Sequence, residues 1–214
     1  METLILNVPP AVGLTQEQFY HLCTANPEWR FELTTAGELI IVAANKNQPS
    51  SYDGEIYAQL AEWNHNKKVG FVFDSNAIFQ LPNGAYRSPA AAWVIRERWE
   101  ALSGDEKQLI PSLCPDFVVE VCSETDSLEK LRLKMAEYRD NGARLGWLID
   151  PQTHDVEIYQ PEVEVEIITF SFDEPPRLSG AEVLPGFVFD LTPILHTGWE
   201  KVDAPPDGTT THLC

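Results

Sequence analysis

The run CPDFVVEVCSETDSLEKLRLKMAEYRDNGARLGWLIDP, Cys114 to Pro151, constrains the fold more than any other part of the chain. It reads as an apolar strand at Phe117 to Val121, a turn through Ser123 to Asp126, a helix from Ser127 to Asn141 and a second apolar strand at Leu145 to Ile149. Leu128, Leu131, Met135 and Tyr138 give the helix an apolar stripe, and Gly142 is a good C-terminal stop. Strand, helix and strand in that order, with helices alternating with strands elsewhere, predict an α/β fold with a mixed sheet. One residue breaks the first apolar strand, and it is an acid, Glu120. Ionised acids are rarely buried without a cation or a metal beside them. Glu120 is therefore a metal ligand, half of a buried ion pair, or an edge-strand residue facing water.

Geometry limits what can join Glu120. At roughly 3.3 Å per residue, Asp116 lies on the same strand face but about 13 Å away, too far to share one ion, and reads as a strand-start residue. On the following helix, Lys134 lies about 40° from Tyr138 and about 60° from Leu131 at about 100° per residue, so it borders the apolar stripe. Its ammonium can bend toward Glu120 or snorkel to water. Lys130 lies farther round and reads as solvated. Glu55 sits near the start of another helix, Ser51 to Asn66, where an acid also complements the helix dipole. His65 and His154 are isolated and read as surface residues.

The rest of the chain fits one domain. Its 214 residues with 43% hydrophobic content suffice for a substantial core. Thr15 and Gln18 form a capping-box pattern at the head of a helix, Leu14 to Ala25, and a hairpin is predicted from Trp29 to Leu33 and Glu38 to Ala43. Asn45 to Ser51 reads as a loop, Phe71 to Phe73 and Ala77 to Leu81 as strands or one bent strand, Ala90 to Ile95 as another apolar strand, and Arg96 to Gln108 as one exposed helix. Val156 to Tyr159 and Val163 to Phe170 read as further strands, and Val183 to Leu191 as a last strand or extended arm. Residues 1–13 read as an N-terminal extension, 14–195 as the domain, and 196–214 as a tail expected to be disordered.

Composition sets limits on function. The formal charge of -18 argues against a constitutive grip on duplex DNA, which normally needs a basic surface. It leaves room for a phosphodiester-cleaving site, because acids hold the divalent cation such sites use. Cys23, Cys114, Cys122 and Cys214 form no CxxC pair, so zinc is not expected and the thiols are expected to be reduced. No run of about 18 apolar residues occurs and the first ten residues do not read as a signal peptide, so a cytoplasmic protein without a membrane span is expected.

The segments LPNGAYRSPAAAWVIRERWEALS, Cys114 to Pro151 and LSGAEVLPGFVFDL together closely resemble a large bacterial family, the Uma-type restriction endonucleases, of the PD-(D/E)XK nuclease superfamily. The resemblance runs from about Leu14 to about Leu195. It implies a restriction endonuclease-like core, a Mg²⁺ or Mn²⁺ cofactor, nucleic acid as substrate and a homodimer. By the same resemblance Glu120 is a catalytic residue and metal ligand, Lys134 is the catalytic lysine displaced onto the next helix, and Glu55 is the first-helix acid that also binds metal. In RSPAAAWV the family reads arginine, serine, proline and aspartate, and that aspartate is a central metal ligand; Ala90 stands in its place. Cys122, the run Ser123, Glu124, Thr125 and the loop Asn45 to Asp53 depart from the family pattern as well. With Glu120 as the only central strand acid, Mg²⁺ affinity should be weak unless Glu55 or Glu124 substitutes. Two readings follow: a metal-dependent endonuclease with a partly degenerate site, or a catalytically silent nuclease-fold protein used for binding or interaction.

Overall fold

The computed structural model describes residues 3–9, 12–43, 52–171 and 173–196. The loop expected at Asn45 to Ser51 and nearly all of the expected tail, 197–214, lie outside them. In chain order the elements are β1 (Thr3–Asn7), α1 (Gln16–Ala25), β2 (Trp29–Leu33), β3 (Glu38–Ala43), α2 (Tyr52–Lys67), β4 (Gly70–Asp74), β5 (Phe79–Gln80), β6 (Tyr86–Arg87) and β7 (Ala91–Ile95). They continue with α3 (Arg96–Ala101), α4 (Gly104–Gln108), β8 (Phe117–Val121), α5 (Leu128–Asp140), β9 (Leu145–Asp150), β10 (Asp155–Tyr159), β11 (Glu166–Thr169), β12 (Arg177–Ser179), β13 (Val188–Asp190) and α6 (Thr192–His196).

Among the described residues these strands form a six-stranded sheet, β11-β10-β9-β8-β7-β4, a five-stranded sheet, β1-β3-β2-β6-β5, and the hairpin β12-β13. The larger sheet is mixed: β8 and β9 run parallel, joined over α5, while its other neighbours are antiparallel. Its central strands are covered on both faces, which is why they read as nearly unbroken apolar runs. Trp93, Phe117, Val119, Trp147 and Ile149 pack with Ile56 and Leu60 of α2. The alternate residues Ala92, Val94, Val118 and Leu148 pack with Met135 and Tyr138 of α5. Full burial of a side chain such as Met135 contributes about 1.5–3 kcal/mol, so the stripe of α5 fixes the helix on the sheet. Gly146 makes the approach close: a Cβ there would lie 2.6 Å from the Met135 terminal methyl. Asn141 caps the helix, and Gly142 takes φ +109° to turn the chain into β9.

The smaller sheet packs α1 through Phe19, Phe31, Leu39 and Tyr86. Thr15 and Gln18 complete the capping box expected at the head of α1. Thr3–Asn7, read from sequence as part of an extension, pairs along β3.

Two expectations are corrected. Arg96 to Gln108 is not one helix, because the backbone turns extended at Leu102 and Ser103 caps a second helix: its N–H and hydroxyl bind Glu106 Oε2 at 2.8 and 2.7 Å, and its Oγ accepts from the Glu106 N–H at 3.3 Å. Val183 to Leu191 is not one strand or arm. Only Val188–Asp190 is extended; it pairs with Arg177–Ser179 after a turn closed by Gly180 and Phe187, with Gly186 at φ +77°.

Candidate active site

Glu120 shares a sheet face with Val118, the face covered by α5. Two turns along that helix from its start, Lys134 reaches down beside the apolar stripe. Its ammonium lies 2.7 Å from Glu120 Oε1 and 2.6 Å from Glu32 Oε1, and donates to the Ser88 carbonyl at 3.1 Å. The lysine side chain is only 12% exposed, so its charge is held by the two carboxylates and not by water. It also lies 5.9 Å from the centre of the Tyr138 ring, and the Tyr138 hydroxyl donates to Glu120 Oε1 at 3.2 Å.

Glu32 was not singled out in the sequence, although it carries the same signature as Glu120, an acid between apolar residues of a strand. It is the hub of the cluster. Its second oxygen accepts from Arg87 at 3.1 Å, the Ser88 N–H donates to the first at 3.0 Å, and Arg87 in turn binds Glu137 of α5 at 2.5 Å. The smaller sheet is thereby tied to α5 by charge.

The electrostatics divide the two acids. Burial pushes the Glu120 carboxyl up to about 7, the nearby Glu32 charge adds to the rise, and Lys134 opposes it. Burial also opposes ionisation of Glu32, but Lys134 and Arg87 outweigh it and hold that carboxyl below its usual range. For Lys134 burial favours the neutral amine, yet Glu120 and Glu32 together raise its affinity for the proton. The low-dielectric setting thus concentrates one shared positive charge between two acids.

The sequence candidates are distributed as follows. Glu120 and Lys134 meet directly. Glu55 accepts from Gln59 at 3.0 Å, and that amide also reaches the Asp190 backbone; among the described residues no contact joins Glu55 to Lys134 or Glu120. The acid of α2 that feels the cluster is Asp53, which lies 3.5 Å from Arg30 and adds to the field at Glu120. Burial raises the Asp53 carboxyl, with Arg30, Ser75 and Lys134 opposing. Glu124 is exposed on the turn after β8. Asp116 is buried as a structural tie, binding Arg98 at 2.9 Å and the Ile95 N–H at 2.9 Å.

Ala90 precedes β7 and donates its N–H to the Val119 carbonyl at 2.9 Å. Extending the register Ala92↔Val118, Ala91↔Val119 by one residue sets Ala90 opposite Glu120. Side chains in such a position are close neighbours, so Ala90 offers Glu120 a methyl group. Mg²⁺ takes oxygen ligands in near-octahedral geometry. Here both convergent carboxylates turn an oxygen to an ammonium, and no group of three His, Cys, Asp or Glu side chains among the described residues is arranged to hold a metal ion. The donor set as placed does not fit a divalent cation. Nor is any helix among these residues long and apolar enough to cross a membrane.

Comparison with known proteins bears on the fold and the family. The fold is similar to the crystal structure of a putative nuclease belonging to DUF820 from Anabaena variabilis ATCC 29413, with a TM-score of 0.64 at 17% identity, covering 86% of this chain and 98% of that one. That likeness shows a shared fold. No curated protein matches the chain. The family model Uma2, described as "Putative restriction endonuclease", matches residues 16–192, nearly the whole of the folded region that carries the Glu32, Lys134 and Glu120 cluster. The chain belongs to the Uma2 family.

Proposed function

We propose that this protein is a degenerate member of a nucleic-acid endonuclease lineage: it keeps the charged scaffold of a phosphodiester-cleaving site and lacks Mg²⁺-dependent cleavage of its own. One observation carries the reading. Opposite Ala90, the Lys134 ammonium is bound by both Glu32 and Glu120, so the acids that would have to face a cation face an ammonium instead. In a carboxylate site of this kind, phosphodiester hydrolysis draws on a metal to polarise the phosphate and activate water. A methyl group at position 90 contributes no ligand to such an ion. An aspartate there would face Glu120 and compete with it for Lys134, which supports position 90 as the point where the site was lost.

The test is cleavage of plasmid and single-stranded DNA with Mg²⁺ or Mn²⁺ by the natural chain, Ala90→Asp, and Ala90→Asp combined with Glu120→Gln. The expected result is no cleavage by the natural chain, a gain in Ala90→Asp, and its loss in the double variant. Cleavage by the natural chain that Glu120→Gln abolishes would overturn the reading. Silence of Ala90→Asp would remove position 90 as the lesion. The homodimer implied by the family resemblance is part of the proposal, and light scattering measures it.

A further inference from the structure

Beside the charge cluster lies a groove of about 410 Å³, within the range of pockets that enclose organic ligands. Six aromatic residues line it: Phe31 and Phe79 form its buried floor, and Tyr20 of α1, Trp29 of β2, Phe73 of β4 and Trp99 of α3 stand above them, together with two cations, Arg30 of β2 and Lys107 of α4. The chain carries 33 Asp and Glu against 15 Lys and Arg, yet no carboxylate among the described residues lines this groove. Trp29 is 41% exposed, far more than a ring placed only for packing requires. Lys107 donates to the Glu100 carbonyl at 3.3 Å, and Arg30 reaches Asp53 at 3.5 Å, a long contact that leaves most of its donors available.

The groove and the charge cluster share a wall. Ser88 lines the groove while its N–H donates to Glu32 and its carbonyl accepts from Lys134. Arg30 and Asp53 join the two regions in the same way. A ligand lying along the aromatic walls would therefore bring its polar end toward the cluster.

We infer that this groove is a base-stacking subsite for single-stranded nucleic acid, an inference that rests on the nuclease-lineage reading above. The exposed Trp29 indole, beside the half-buried rings of Tyr20, Phe73 and Trp99, offers a face to an unstacked base, and one or two cations suffice to follow the backbone next to it. A duplex keeps its base faces inside its own stack and is gripped through a broad basic surface, which a chain of charge -18 does not supply.

The experiment is an anisotropy titration of a labelled oligodeoxythymidylate against the natural chain in EDTA, with the same oligonucleotide annealed to its complement in parallel. The single strand is expected to bind more tightly than the duplex. Trp29→Ala should weaken single-strand binding about tenfold, or about 1.4 kcal/mol, and Lys107→Ala should reduce the slope of log K against log salt by about 0.7. Ile167→Ser, at an exposed site on the far edge strand β11, should leave Kd unchanged. Circular dichroism establishes that each variant is folded; Trp29 is exposed enough for its loss to be tolerated. Absence of single-strand binding, duplex binding of equal or greater strength, or an unchanged Kd in folded Trp29→Ala overturns the subsite. Because EDTA removes metal, this outcome is separate from that of the cleavage assay: cleavage by the natural chain overturns the degenerate-site reading alone, and missing oligonucleotide binding overturns the groove alone.

Discussion

Helix α5 sends two cations down onto buried sheet acids, Lys134 to Glu120 and Arg132 to Glu157, and the two pairs are built to different ends. Arg132 binds Glu157 Oε1 through Nε at 2.7 Å and Nη2 at 2.5 Å, and the Tyr159 hydroxyl donates to the other oxygen at 2.7 Å. One acid meets one cation, and half of the arginine side chain remains in solvent. Lys134 is nearly enclosed and meets two acids, with the segment after β6 supplying the Ser88 carbonyl. The first arrangement is a satisfied clamp. The second gathers charge from β2, β8 and α5 at one point, the kind of concentration found at functional sites.

The contrast predicts unequal responses to losing the cation. Lys134→Met leaves Glu32 and Glu120 confronting each other in a buried setting, and should cost about 3–5 kcal/mol at pH 8, read by denaturant unfolding. Adding Glu120→Gln should recover much of that loss, since it removes the acid left without a cation while Arg87 still holds Glu32. Arg132→Met should cost less, about 1–2 kcal/mol, because the half-exposed guanidinium leaves room for water to reach Glu157 Oε1 while the Tyr159 hydroxyl still satisfies the other oxygen. If the two single losses are equal, the distinction between cluster and clamp fails. Tyr138→Phe removes only the hydroxyl that reaches Glu120 and should cost about 0.5–1.5 kcal/mol.

The dependence on pH sharpens the same comparison. Glu120 is raised from 4.5 to about 7 by burial, so the folded protein holds its proton more tightly than the unfolded chain does. Its contribution to stability is therefore complete below about 4.5 and is lost as pH rises through about 7. Glu120→Gln should flatten the stability curve between those values. Denaturation midpoints at intervals from pH 5 to 8 check this, and an unchanged slope in the variant would show that Glu120 is not the group responsible.

Much of the fold is legible in the sequence where a local pattern decides it. The strand, helix and strand from Phe117 to Asp150 are stated by apolar runs, a stripe at helical spacing and Gly142. The break at Ser103 was hidden because its capping box lies inside an otherwise helical polar segment. Within the site, Glu120 announced itself because an acid in an apolar strand needs a partner. Glu32 and Glu157 carry the same mark, but their partners come from a helix distant in sequence, and only tertiary packing tells which such acids converge. Asp53 and Glu55 show the limit most clearly. Two residues apart on a helix, they point about 200° away from each other, and both suit its first turn. Packing of α2 against β4, β7 and β13 turned Glu55 toward Gln59 and left Asp53 beside Arg30 and the charge cluster.

The account's central claim is that an ammonium, and not a divalent cation, is what Glu32 and Glu120 are arranged to hold. Calorimetric titration with Mg²⁺ of the natural chain and of Ala90→Asp tests it directly. No one-site binding by the natural chain, and its appearance in Ala90→Asp, is the predicted result; tight one-site binding by the natural chain that Glu120→Gln abolishes would contradict it.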